Sequence, residues 1–96
     1  MNQIQVDIQE EVDHLYRLEY GKLVYVLTKA FGSSNMEMAE DVVQDAMLEA
    51  TKQWTYQGIP DNPIGWIYKV AKCKAVNLIN REKYKLKYTS EVARLL

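Results

Sequence analysis

Two groups of side chains in this chain are spaced so that they could do chemistry together. On AEDVVQDAMLEA, residues 39–50, helical spacing puts Asp41, Gln44, Asp45 and Leu48 on one face, a row of carboxylate, amide and carboxylate around an apolar centre. On WIYKVAKCKAVNLIN, residues 66–80, the same spacing aligns Trp66, Lys69, Cys73, Asn77 and Asn80, with Val70, Lys74 and Arg81 alongside. The first row could hold a cation or receive the guanidinium groups of a partner. The second could stack on bases and neutralise phosphates. Asp41 and Asp45 alone offer a metal too few ligands, and no second acidic helix with matching spacing accompanies them. The single histidine, His14, has no serine or cysteine partner at motif spacing, and no Gly-rich phosphate loop is present. Neither an enzyme nor a cofactor or metal is therefore expected. A bland alternative stands beside each row: a solvated face carrying one of the many leucines that proteins leave exposed, and a solvated lysine face.

These residues must be positioned by a small domain. The chain has 96 residues, of which 48% are hydrophobic and 26% charged, the composition of an ordinary globular protein at the low end of what one core can stabilise. No apolar run approaches the ~20 residues of a membrane span. The lone Cys73 excludes an internal disulfide and a cysteine-cluster zinc site, and a reducing, cytoplasmic setting is the default expectation. The net charge of −1 conceals a split. The first half is acidic, with only Arg17, Lys22 and Lys29 as bases up to residue 48. Between 66 and 88, Lys69, Lys72, Lys74, Arg81, Lys83, Lys85 and Lys87 stand against Glu82 alone. Such a division suggests one basic and one anionic partner.

Apolar spacing of three and four recurs throughout and no segment alternates with period two, which predicts an all-α bundle of three to four helices. The first helix is expected from about Asp7 to Phe31, with Ile8, Val12, Leu15, Leu23, Leu27 and Phe31 inward and a local weakness or break at Gly21. Ser34 and Glu37 fit a capping box for a second helix from about Met36 to Trp54, whose inward side is Ala39, Val42, Val43, Ala46, Ala50 and Trp54. Thr55–Pro63 reads as a loop. Asn62 caps a third helix that starts at Pro63, continues to about Tyr84 or beyond, and turns Ile64, Ile67, Ala71, Ala75 and Leu78 inward. Tyr68 and Tyr16 are expected to cover the core edge, while Trp66 is expected on the polar side.

The order Ala39-Glu40-Asp41-x-x-Gln44-Asp45, then Trp54, a Gly/Pro loop, and Trp66-Ile67-Tyr68-Lys69-x-Ala71 resembles region 2 of bacterial sigma factors of the sigma-70 superfamily, and is most similar to the extracytoplasmic-function (ECF) group. The resemblance covers about residues 12–88; no single tetrapeptide in it is specific, but the ordered combination is. It implies that Asp41, Gln44, Asp45 and Leu48 dock on the clamp helices of the β′ subunit of core RNA polymerase. It also implies recognition and melting of the promoter −10 element, with a flipped base of the non-template strand captured by the loop before the last helix. The residues this assigns to DNA are Tyr56, Asn62, Trp66, Lys69, Lys72, Cys73, Asn77 and Asn80. An anti-sigma factor is a further implied partner.

This chain departs from the family pattern on the reading face. Cys73 stands where relatives often carry asparagine, and a thiol is a poor donor and acceptor. Asn77 and Asn80 stand where relatives often carry an aspartate and an arginine. Residues 1–88 are expected to form the region 2 domain and 89–96 the start of a linker towards a region 4 that is not in the sequence, so that an excised fragment is expected rather than a naturally split factor. Two other functions remain open from the residues: a helical protein-interaction module, or a sigma-like adaptor that binds polymerase or an anti-sigma factor without reading DNA.

Overall fold

The structure, a computed structural model, describes residues 7–96. The first six residues of the expected domain lie outside the described residues. Three α-helices follow one another: α1 (Ile8–Phe31), α2 (Met36–Gln57) and α3 (Pro63–Leu95), with a 3-10 turn at Ser33–Asn35 between the first two. The all-α expectation is met by a three-helix bundle in which α2 packs along both neighbours while α1 and α3 touch each other little.

α1 starts where Asp7 accepts a hydrogen bond from the backbone N–H of Glu10 at 3.2 Å. Glu10 and Glu11 follow in the first turn, where the helix dipole favours anions. The buried stripe is Val12, Leu15, Leu23, Val24 and Leu27, and Ile8 and Phe31 are half-buried at its ends. α1 is continuous through Gly21, which is exposed, and the buried residues on both sides of it anchor α1 to α2. Val24 was absent from the expected stripe, although its spacing from Leu27 and Tyr20 permits it.

The capping box at Ser34 does not form. Ser33–Asn35 wind as a 3-10 turn, and Asn35 takes the cap position of α2 with no side-chain bond to that helix. Its amide instead donates back to the carbonyl of Phe31 at 2.6 Å. One polar side chain thus satisfies an orphan carbonyl at the end of α1 rather than an orphan N–H at the start of α2.

α2 lies at the centre and has the most complete core face. Ala39, Val42, Val43, Ala46 and Ala50 are fully buried, with Met47 and Trp54 nearly so. Across from it, Ile67, Ala71 and Ala75 of α3 are also fully buried. Five of these residues are alanines, and small side chains at a helix contact allow the axes to approach at the short end of the usual 8–10 Å. α2 runs three residues past its expected end. Thr51 and Thr55 donate back to the carbonyls of Met47 and Thr51 at 3.1 and 2.6 Å, and Gly58 with φ +83° ends the helix by donating to Trp54. The connection is therefore only 58–62, and Tyr56 sits on the last turn of α2 rather than in a loop.

α3 starts as expected. Asn62 accepts from the N–H of Gly65 at 3.0 Å, and Pro63 occupies the first turn. A Cβ at Gly65 would lie 2.6 Å from the Asn62 amide nitrogen, so the cap and the glycine belong together. Removing the cap with Asn62→Ala is expected to cost about 1 kcal/mol, measured as a lower urea midpoint with an unchanged m-value. The helix runs well past Tyr84. Its last buried residue is Ala75, Leu78 is already 38% exposed, and 80–91 are exposed throughout.

Candidate functional site

The acidic row is built on the outer side of α2. Asp41, Gln44, Asp45 and Leu48 are all exposed, Leu48 to 62%, while Val42, Val43, Ala46 and Met47 behind them are buried and fix the helix in place. The side chains are thus displayed from a rigid element along about 10 Å of axis, since seven residues rise 1.5 Å each. The one ion pair among the described residues is Lys22–Glu19 at 3.9 Å, so neither Asp41 nor Asp45 meets an internal cation. A row of carboxylates without internal partners can accept donors from outside.

The row also reaches α1, which the sequence reading did not anticipate. Gln44 Nε2 donates to the hydroxyl of Tyr20 at 3.2 Å. The rings of Tyr20 and Tyr16 stack with centroids 4.6 Å apart at 25°. A groove between the two helices is lined by Asp13, Tyr16, Gln44, Met47, Leu48 and Thr51. Tyr16, expected to cover the core edge, is instead exposed and stacks on Tyr20, which packs against the core, as does Tyr68. The only signal in the sequence was the four-residue spacing of the two tyrosines on the flank of α1.

The second site is a groove between α2 and α3. Trp66, Lys69, Val70, Cys73, Lys74 and Asn77 form one wall, and Glu49 and Gln53 of α2 form the other. Four of the residues expected to touch DNA, Trp66, Lys69, Cys73 and Asn77, are therefore brought together. Lys72 and Asn80 do not line this groove; both are exposed on α3, Lys72 about 100° around the helix from Cys73. Tyr56 is 90% exposed at the end of α2. Asn62 is exposed, and its side-chain oxygen is occupied by the helix cap.

Trp66 is not a free polar-face residue. It is half-buried and meets Trp54 edge to face, with centroids 5.4 Å apart at 65°. The physical reason is Trp54, whose bulk at the end of α2 reaches under α3 and offers Trp66 an apolar neighbour. Glu49 and Gln53 were missed because the wheel of α3 says nothing of which side chains of α2 stand opposite. Their own four-residue spacing on the flank of α2 was the available clue. Among the described residues, no three His, Cys, Asp or Glu side chains converge to hold a metal ion. Among the described residues, no helix is long and apolar enough to cross a membrane.

Compared with known protein families, the chain matches the one described as Sigma-70 region 2 over residues 15–84. That span begins at Leu15 on α1, contains all of α2, and extends along α3 through both rows described above. No curated protein matches the chain, and no solved structure does.

Proposed function

The chain belongs to the sigma-70 region 2 family, whose members bind core RNA polymerase and recognise promoters, and on that premise we propose a division of labour between its two faces. The acidic row of Asp41, Gln44, Asp45 and Leu48 docks on the β′ clamp helices. The α2–α3 groove takes the melted −10 element of the promoter. The chain acts in the bacterial cytoplasm as a member of the ECF group, with no catalytic step of its own. Residues up to 88 serve as the region 2 unit and 89–96 lead into a linker. The observation that carries the reading is that one helix, α2, displays an acidic row without internal ion pairs and also walls a lysine-bearing groove shared with α3.

The chemistry of the groove supports base capture inside it and backbone contact at its rim. Glu49 in the wall opposes a phosphate but can accept from an exocyclic amine. Gln53 and Asn77 can each donate and accept. Lys69 and Lys74 supply the cations that a flanking phosphate needs, and Tyr56 at the end of α2 offers a ring for stacking. A base extracted from a duplex costs a few kcal/mol, which enclosure in a groove can offset. The wider groove edged by Phe31, Met38, Leu78, Ile79 and Leu86 supports a protein partner such as an anti-sigma factor.

Photo-crosslinking tests the DNA half. A photoreactive residue placed at Tyr56 or at Asn77, in the chain bound to core RNA polymerase, is expected to crosslink the non-template strand of a −10 element. Lys69→Ala with Lys74→Ala is expected to weaken binding of that strand and to reduce its salt slope by about 1.4, given about 0.7 per phosphate contact on single strands. Polymerase binding without either crosslink would instead identify an adaptor that does not read DNA, the reading that Cys73 and Glu49 in the groove favour.

A further inference from the structure

Gln44 is the member of the acidic row that the fold itself holds in place. Its Nε2 donates to the Tyr20 hydroxyl at 3.2 Å, across a separation of 24 residues. Tyr20 is half-buried, and its ring is fixed in turn by the stack on Tyr16 at 4.6 Å. One N–H of Nε2 is engaged in this bond, and Oε1 and the second N–H are left for a partner. Ionised Asp41 and Asp45 can only accept hydrogen bonds, and so can Asp13 at the edge of the same groove.

We propose that Tyr20 is a positioning residue of the polymerase contact, holding the Gln44 amide so that Oε1 accepts from the partner beside the carboxylates of Asp41 and Asp45, with Leu48 as the apolar contact. The partner surface this fits is a helix bearing arginines, whose guanidinium forks donate without accepting. The inference rests on the reading that the acidic row binds polymerase.

Pinning the amide matters for two physical reasons. A glutamine free to rotate exposes a donor as readily as an acceptor, and it surrenders rotamer freedom when it binds. Held by Tyr20, it is already ordered, with its Oε1 in a fixed place. An acidic partner surface would meet the carboxylates of Asp41 and Asp45 and be rejected, which gives the face specificity as well as affinity.

The test is a double-mutant cycle on the full chain, read as affinity for purified core RNA polymerase, with thermal unfolding of each variant as a control. Tyr20→Phe keeps the ring and its stack but removes the hydroxyl. It is expected to weaken binding by about threefold to tenfold, the range of a single hydrogen bond, and to have no further effect in the Gln44→Ala background. A merely structural tyrosine would weaken binding equally in both backgrounds. Gln44→Glu, which keeps an acceptor outward and can accept a hydrogen bond from the tyrosine O–H inward, is expected to bind like the unaltered chain. Loss of binding in Gln44→Glu as great as in Gln44→Ala would overturn the acceptor assignment. Tyr20→Phe binding at full strength while Gln44→Ala fails would overturn the positioning role and leave the polymerase reading intact. Full binding by Gln44→Ala would remove Gln44 from the contact, and this inference with it, while loss of binding in Asp45→Lys would still uphold the polymerase reading.

Discussion

Reversing one charge on α2, Asp45→Lys, is expected to lower affinity for core RNA polymerase by at least about tenfold while leaving the folded state unchanged. Asp45 is exposed and meets no cation within the described residues, so its removal deprives the fold of no ion pair. A charge pair across an interface couples by about 1.5–7 kcal/mol where it is close, and 1.4 kcal/mol is already a factor of ten. The reversal also places a cation where a basic partner must approach, adding repulsion to the lost attraction. The same reversal at Glu91, an exposed position far along α3, is the control and is expected to change affinity less than twofold. Equal, small effects at both sites would return Asp41, Gln44 and Asp45 to the status of a solvated face. Titration by fluorescence anisotropy, with far-UV circular dichroism on each variant, gives the comparison.

The largest effect on stability is expected from Trp54→Ala. Trp54 is 2% exposed and carries the edge-to-face contact with Trp66 that joins the end of α2 to the start of α3. Its indole N–H meets no hydrogen-bond partner among the described residues, so the residue contributes through packing alone. Truncating a buried tryptophan costs about 3–5 kcal/mol, against a total of about 5–15 kcal/mol for a typical domain. Urea unfolding followed by circular dichroism is expected to show a midpoint displaced to low denaturant or no folded baseline at all. Trp66→Ala, which removes a half-buried ring, is expected to cost less. A loss below about 1 kcal/mol in Trp54→Ala, the size of an average substitution, would contradict its place at the centre of the core.

How far the fold was legible from the sequence depends on whether the relevant contact lay within one helix. The inward side of α2 was readable because Ala39, Val42, Val43, Ala46, Ala50 and Trp54 repeat at 3.6 residues, and all of them are buried. Asn62 before Pro63 marked the start of α3 through local chemistry, and the cap is made. The end of α2 was placed too early because Thr55, Tyr56 and Gln57 were grouped with the Gly/Pro loop. Two threonines bonding back four residues carry the helix on to Gly58, whose freedom at positive φ was the stop signal.

Contacts between helices were the part that periodicity could not supply. The wheel of α3 set Trp66 among polar residues because it holds no information about Trp54 beneath it. The bond between Gln44 and Tyr20 joins residues on two helices that no local pattern relates. The exposed row on α2 was legible as a row, and its isolation from internal cations required coordinates. Of the residues expected at DNA, four share the groove, whereas Lys72 lies about 100° around α3, Asn80 lies beyond the groove lining on the same face, and Tyr56 and Asn62 stand near the connection.

The buried alanines of α2 and α3 have a mechanical meaning. Long side chains in a contact act as springs, because rotamer changes let two helices slide before either backbone moves. Ala39, Ala46, Ala50, Ala71 and Ala75 have no rotamers to change, and all are fully enclosed. A close-packed seam of this kind yields little under load. A displacement of α2 is therefore expected to carry α3 with it, with little lost in deformation between them.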